Sequence, residues 1–389
     1  MTTISDLSEE LVEEILCRVP ATSLKALRST CKKWNALSKN QIFGKTEKQF
    51  LGFMMMDYRV CSVKFNLPNE DYGADPSIKQ VALLDQVKIS KLFHCDGLLL
   101  CVVKDNTGLV VWNPYLGQTK WIQPRTSFLS SDRYALGYDK NRNHKILRIS
   151  CFGYEIYDLS SDLWKFYCVT PDWEIPSHQR GVSLKGDSYF LGHEKITVSG
   201  GEGVRRKIED SLLCFDFTSE RFGPPLPLPL SFHSYRSETM TLSCVGEEQL
   251  AVFSYHLNLS SVYEIWVTNK LEPNAVSWSK FLRSFRGSHV HIEAGSFFID
   301  EGKKVAVVFG LDYKYDETRY QTAHIIGQGG YFKSVNIGEA PNLAKLDKPY
   351  MFGYTPRKYC YPVVCSSYVP SLVQLQINQP GKGKERDYY

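Results

Sequence analysis

His289 and His291 stand two positions apart, so on a strand their imidazoles would share one face and could chelate a metal. No third ligand follows at useful spacing, and no metal site is expected. His193-Glu194 begins a His-Glu-x-x-His pattern but lacks the second histidine. Gly181-Val182-Ser183-Leu184-Lys185-Gly186 misses the Gly-x-Ser-x-Gly elbow by one residue and reads as strand and turn, where that elbow needs strand–turn–helix. Gly327-Gln328-Gly329-Gly330 lacks the lysine of a phosphate-binding loop and reads as a hairpin turn. Asp158, Asp216 and Asp312 follow strand aromatics, where a carboxylate serves turn geometry. Local sequence therefore offers no catalytic residues, no metal and no cofactor.

Composition narrows the classes further. The 389 residues carry 46 basic and 42 acidic side chains, a formal net charge of +4, which gives no reason to expect nucleic acid as a partner. The apolar runs Leu98–Val103 and Val305–Val308 are far shorter than the about 20 residues of a membrane span, so no membrane partner is expected either. The N-terminus is acidic and lacks a signal pattern, and a soluble protein of the nucleus or cytoplasm is expected. The eleven cysteines include no Cys-x-x-Cys pair. Cys95, Cys101, Cys151, Cys168, Cys214 and Cys244 sit in apolar runs and are expected as small buried hydrophobes in a reducing compartment.

The elements that must position any function fall into two kinds. Ser8 and the acidic turn after it start a helix; Leu11, Val12, Ile15, Leu16 and Val19 form one apolar face, and Pro20 ends it. Thr22 or Ser23 caps a second segment, lined by Leu24, Leu27, Cys31, Trp34 and Leu37 and flanked by Lys25, Arg28, Lys32, Lys33 and Lys39. A piece this small cannot bury so many apolar positions alone, so the rest of the chain or a partner must cover part of them.

Leu7, Leu11, Ile15-Leu16, Val19-Pro20, Ser23-Leu24, Leu27-Arg28, Cys31-Lys32, Trp34, Leu37 and Phe43 together resemble an F-box, with Arg-x-x-Cys-Lys-x-Trp the most specific part. Ser8 departs from the family, which usually has proline there. The resemblance implies binding to a Skp-family adaptor and through it to a cullin scaffold. It assigns the adaptor-binding face to Leu7, Leu11, Ile15, Leu16, Val19 and Pro20, with Leu24, Leu27, Cys31 and Trp34 shared between contact and helix packing.

Beyond Phe43 the pattern turns to β. Four hairpins repeat with an aromatic on each arm: Trp112/Trp121, Tyr157/Trp164, Phe215/Phe222 and Trp266/Trp278, about 45–58 residues apart, with a weaker fifth copy at His324–Ile326 and Tyr331–Lys333. Further hairpins lie between them, turning at Lys185-Gly186-Asp187, Val245-Gly246-Glu247 and Asp300–Lys303. Two hairpins per repeat predict four-stranded blades of an all-β propeller, with the paired aromatics buried and equivalently placed. Phe93–Cys101, Val111-Trp112-Asn113-Pro114, Ala135–Asp139, Lys145–Arg148 and Arg180–Gly186 are similar to the plant F-box-associated domain of type 1, from about residue 90 to about 375. Only Gly200-Gly201 and Gly329-Gly330 supply glycine pairs, so the repeats are not kelch on sequence.

The expected organisation is a small all-α F-box at 1–48, an all-β propeller-like domain at 49–375 and a disordered tail at 376–389. Strands at Phe50–Met55 and Val60–Phe65 belong either to the propeller edge or to a link. The resemblance implies the substrate-recognition subunit of a Skp–cullin–F-box ubiquitin ligase, non-catalytic, holding an unidentified target protein. The alternative is a propeller enzyme or carbohydrate-binding module whose N-terminal helices pack internally, since carboxylates gathered from separate blades leave no local signature.

Overall fold

The computed structural model describes residues 50–65, 77–80, 87–105, 107–129, 131–169, 172–176, 179–200, 203–229, 238–256, 262–285, 296–311, 319–340, 362–365 and 368–375. The F-box segment, the His289/His291 pair, Asp312 and the tail from 376 lie outside them.

The described strands form six antiparallel sheets, the six blades of a propeller. Blade 1 contains β1 (Phe50–Met56), β2 (Arg59–Phe65) and β3 (Ser77–Gln80). Blade 2 is β4 (Ile89–Cys95), β5 (Leu98–Val103), β6 (Leu109–Asn113) and β7 (Gln118–Ile122). Blade 3 is β8 (Arg133–Tyr138), β9 (His144–Ser150), β10 (Gly153–Asp158) and β11 (Leu163–Tyr167). Blade 4 adds short flanking pieces: β12 (Trp173–Glu174), β13 (Val182–Leu184), the long pair β14 (Asp187–Gly200) and β15 (Gly203–Asp216), then β16 (Arg221–Phe222) and β17 (Leu226–Pro227). Blade 5 is β18 (Glu238–Val245), β19 (Gln249–His256), β20 (Val262–Glu272) and β21 (Ala275–Phe285). Blade 6 is β22 (Ser296–Asp300), β23 (Val305–Leu311), β24 (Arg319–Gly327) and β25 (Phe332–Ala340). A last strand, β26 (Val363–Cys365), returns to pair with β1 and becomes the innermost strand of blade 1.

Strand composition follows position in the blade. The second strands are covered on both faces, and their sequences are continuous apolar runs: Leu98–Val103 and Val305–Leu311 are buried at every residue. Outermost strands have one covered face, so β11 shows no fully buried residue. This position corrects the expectation for the paired aromatics. Trp112, Tyr157 and Phe215, on third strands, are buried; Trp121, on an outermost strand, is 53% exposed, and Trp164, Phe222, Trp266 and Trp278 are half-buried. Tyr157 faces Trp164 and Phe215 faces Phe222 across the ladder, but Trp112 faces Thr119 and Trp266 faces Lys280. Among the cysteines, Cys95, Cys101 and Cys214 are buried and Cys244 is half-buried. Cys151 and Cys168 are exposed, contrary to expectation, because one lies in the β9–β10 turn and the other just past the end of β11.

The core lies between blades. One apolar cluster joins blade 1 to 2 around Phe53, Leu92 and Trp112, and others fill the seams 2–3, 3–4, 4–5 and 5–6. The ring closes through Met54, Val63, Phe298, Phe309 and Val364 between blades 6 and 1. Strand alternation makes this possible: Phe53 and Met55 face blade 2, and Met54 between them faces blade 6. Some seams are tight enough to exclude a side chain. A Cβ on Gly137 would lie 2.2 Å from the Phe217 ring and 2.3 Å from the Gly186 carbonyl oxygen, and the Tyr138 N–H donates to that same carbonyl at 3.0 Å.

Beyond β26 the chain runs as a strap over blade 2. Tyr368 packs edge-on against Phe53 at 4.7 Å. Asn113, fully buried, donates its amide to the carbonyls of Ser371 at 3.1 Å and Val373 at 2.7 Å. Gln118 accepts the Leu375 N–H at 3.0 Å, and Leu375 is buried in the seam between blades 2 and 3. Gly97, at φ +72°, leaves room for Ser371, whose Cβ would stand 2.4 Å from an added Cβ.

Replacing Asn113 by alanine orphans two strap carbonyls at a buried site. Asn113→Ala is expected to lower stability by about 2–4 kcal/mol, read as a lower urea midpoint with an unchanged m-value. A loss below about 0.5 kcal/mol would show that the Asn113 hydrogen bonds do not hold the strap.

Candidate functional site

The residues assigned to adaptor binding, Leu7, Leu11, Ile15, Leu16, Val19, Pro20, Leu24, Leu27, Cys31 and Trp34, all lie outside the described residues. The propeller itself offers two concave sites.

The first is the central channel. Innermost strands β4, β13, β18, β22 and β26 enclose a cavity of about 60 Å³. Its wall is mostly neutral. The Ser243 hydroxyl donates to the Phe297 carbonyl at 2.6 Å, Ser183 donates to the Leu136 carbonyl, and the Cys244 thiol points at the Ser183 carbonyl at 3.4 Å. Burial pushes the thiols up, Cys244 to about 12 and Cys365 to about 11, so neither is a thiolate at neutral pH. Burial also drops His94 to about 4, and its neutral ring accepts the Gly97 N–H at 3.1 Å, fixing the β4–β5 turn. Arg180, just before β13, is the cation on this wall; its guanidinium donates to the Leu92 carbonyl on β4. In the sequence Arg180 stands only within the segment Arg180–Gly186 that is similar to the F-box-associated domain. An arginine abutting a buried innermost strand was the available signal.

The second site is a cleft of about 290 Å³ between blades 4 and 5, lined by apolar residues such as Tyr189 and Phe222 and by four carboxylates, Asp187, Asp216, Glu248 and Glu272. Asp187 opens β14 and Asp216 closes β15. Asp216 accepts the Thr218 N–H at 2.7 Å, the turn role expected from its place after a strand aromatic. Asp187 is raised to about 6, first by burial and then by the like charge of Asp216.

The other sequence-level candidates resolve into structural roles. Asp158 accepts the Ser160 N–H at 2.8 Å and the Ser160 hydroxyl at 2.5 Å, which shapes the β10–β11 turn. His193 pairs with the Asp210 carboxylate directly opposite on β15, and that hydrogen bond raises its pKa. Gly327–Gly330 is the β24–β25 turn, with Gly329 at φ 67° and Gly330 at φ 82°. Gly181–Gly186 enters and leaves β13, in strand–turn context. Among the described residues no group of three His, Cys, Asp or Glu side chains is placed to hold a metal ion.

A carboxyl whose folded pKa lies above its unfolded value binds its proton more tightly when folded. Stability is then highest below the ordinary carboxylate range and falls as pH rises towards about 6. Asp187→Asn removes the charge and keeps an acceptor. It is expected to raise the melting temperature at pH 7.5 and leave it nearly unchanged at pH 4, as measured by calorimetry. Equal shifts at both pH values would show that burial and the Asp216 charge do not raise the Asp187 carboxyl.

Comparison with known proteins agrees with this architecture. Residues 4–46 match the F-box domain, and residues 51–375 match the F-box associated beta propeller domain. The propeller match begins well before residue 90, because β1–β3 belong to blade 1. An F-box/kelch-repeat protein of Arabidopsis thaliana is 60% identical, aligned over 99% of this chain and 100% of its own length. Two putative F-box proteins of the same plant are 57% and 56% identical, covering 100% and 96% of this chain and all of their own. With an F-box match directly ahead of six closed blades, the chain belongs to the family of F-box proteins that carry an F-box associated β-propeller domain.

Proposed function

We propose that this chain is the substrate-recognition subunit of a Skp–cullin–F-box ubiquitin ligase in the nucleus or cytoplasm. The observation that carries the reading is the order of the two matched regions: an F-box at 4–46 runs almost without interval into a propeller match at 51–375. A helical piece with an apolar face too large for its own size needs a covering partner, and a Skp-family adaptor supplies one. The propeller then holds the target. Ubiquitin transfer is helped by raised effective concentration of the target lysine, with no chemistry by this chain. The adaptor in turn links the chain to a cullin scaffold.

On this reading Leu7, Leu11, Ile15, Leu16, Val19 and Pro20 face the adaptor. Leu16→Asp or Val19→Asp buries an unpaired charge at a dry interface, a cost of several kcal/mol (about 2–4). Capture of the adaptor is expected to fall by orders of magnitude, with the propeller's unfolding transition unchanged. Undiminished capture by both variants would remove the docking reading. Ser8→Pro is expected to be neutral or slightly favourable, since proline suits the first turn of a helix.

A fragment beginning at residue 49 keeps β1–β3 and hence blade 1, whereas a cut at 90 removes three of its four strands. The longer fragment is expected to fold, bind the cellular target and miss the adaptor. Overproduced, it should protect the target from turnover. Normal turnover in its presence, with the fragment soluble and cooperative, would count against the receptor mechanism.

A further inference from the structure

The central channel holds a charge that has no counter-ion among the described residues. A guanidinium carries five N–H donors in a fixed fork. Arg180 spends one on the Leu92 carbonyl, and the Phe93 ring lies 5.4 Å from its guanidinium carbon. Among the described residues no carboxylate pairs with it. Its side chain lines the cavity, and burial lowers its pKa only to about 10, so it stays charged at neutral pH.

A second group faces the same space. Thr241, on β18, is 7% exposed, and its hydroxyl has no hydrogen-bond partner among the described residues. Of the other hydroxyls of the wall, Ser183 and Ser243 donate to backbone carbonyls, while Ser296 is held as an acceptor of the Val364 N–H at 2.7 Å. The neighbourhood is also positive. Lys91, on β4, is lowered to about 8, chiefly by burial, with Arg133 and Arg180 adding repulsion against the attraction of Asp132. A cavity of about 60 Å³ exceeds the roughly 10–15 Å³ that one water requires.

We propose that the channel binds one compact oxyanion, a carboxylate or a phosphate, held by the free fork of Arg180 with the Thr241 hydroxyl as a second donor. Forked guanidinium–oxyanion pairing is the geometry that uses several donors at once. The site is independent of the ligase reading, because it is built from propeller residues alone.

The test uses the full chain, titrated with sodium phosphate and with sodium acetate at constant ionic strength and followed by calorimetry and melting temperature. Saturable binding at one site with a rising melting temperature is expected. Arg180→Met should abolish it, and Thr241→Val, which removes a hydroxyl with no partner among the described residues, should weaken it about tenfold. Where Arg180→Met does not fold, Thr241→Val decides. A wild-type chain that takes up neither anion holds only water in the channel, and the proposal is then wrong. Uptake insensitive to both substitutions overturns it equally. N-acetyl-glutamyl amide separates the two sources of such an anion. Its competition with phosphate supports entry of a peptide-borne acidic side chain, and failure to compete supports a free ion.

Discussion

Every blade of this protein depends on its neighbours on both sides. A four-stranded sheet with two apolar faces cannot stand in water, and here each face is covered by the next blade rather than by helices or a second layer. The dependence is circular: blade 6 needs blade 1, which is complete only when β26 joins it. The stability of the ring is therefore not a sum of independent blades. The Asn113 clasp on the strap and the Met54–Phe298 seam act on the whole ring, because they govern whether it is closed.

The seams also bury charge, and they do so in paired form. Arg148 sits between Asp132 at 2.8 Å and Glu155 at 2.9 Å, with further bonds to Thr126 and the Ser127 carbonyl. Lys145, on blade 3, reaches Glu220 of blade 4 at 2.8 Å and Asp139 at 3.4 Å, and the Tyr154 hydroxyl donates to the Glu220 carbonyl at 3.0 Å. Such groups add little net stability over an apolar seam, but an offset seam would leave buried charges unpaired. The Lys145–Glu220 pair crosses from blade 3 to blade 4 and fixes their register, where apolar contacts alone would tolerate sliding. Against this background of satisfied ions, the lightly bonded fork of Arg180 stands apart.

Much of the fold was legible because its signals are local. The hairpins after Val111-Trp112-Asn113, Ile156-Tyr157-Asp158 and Cys214-Phe215-Asp216 announce themselves by strand residues, a turn and a returning aromatic. So do the intervening turns at Lys185-Gly186, Val245-Gly246 and Asp300–Lys303. The burial of the outer aromatics was misjudged because depth within a blade is not written in a hairpin's own sequence; Trp112 and Trp121 differ only in which strand they occupy. Closure was hidden for a different reason. Val363–Cys365 is three residues long and finds its partner, Phe53–Met55, at the far end of the chain. The channel and the Asp187–Asp216 cleft are likewise assembled from separated segments, and no window of sequence contains them.

The return of β26 sets an order in time as well as in space. A ribosome releases blade 1's outer three strands first and its innermost strand nearly last, after the other five blades. During most of synthesis the emerging propeller is an open arc whose two end faces, one carrying Met54 and the other Phe298 and Phe309, stay unsealed. A message ending before Val363 would yield a chain with nearly all the described strands and no closed ring. Integrity of the propeller is in this sense read out at β26, the last of the described strands to be made.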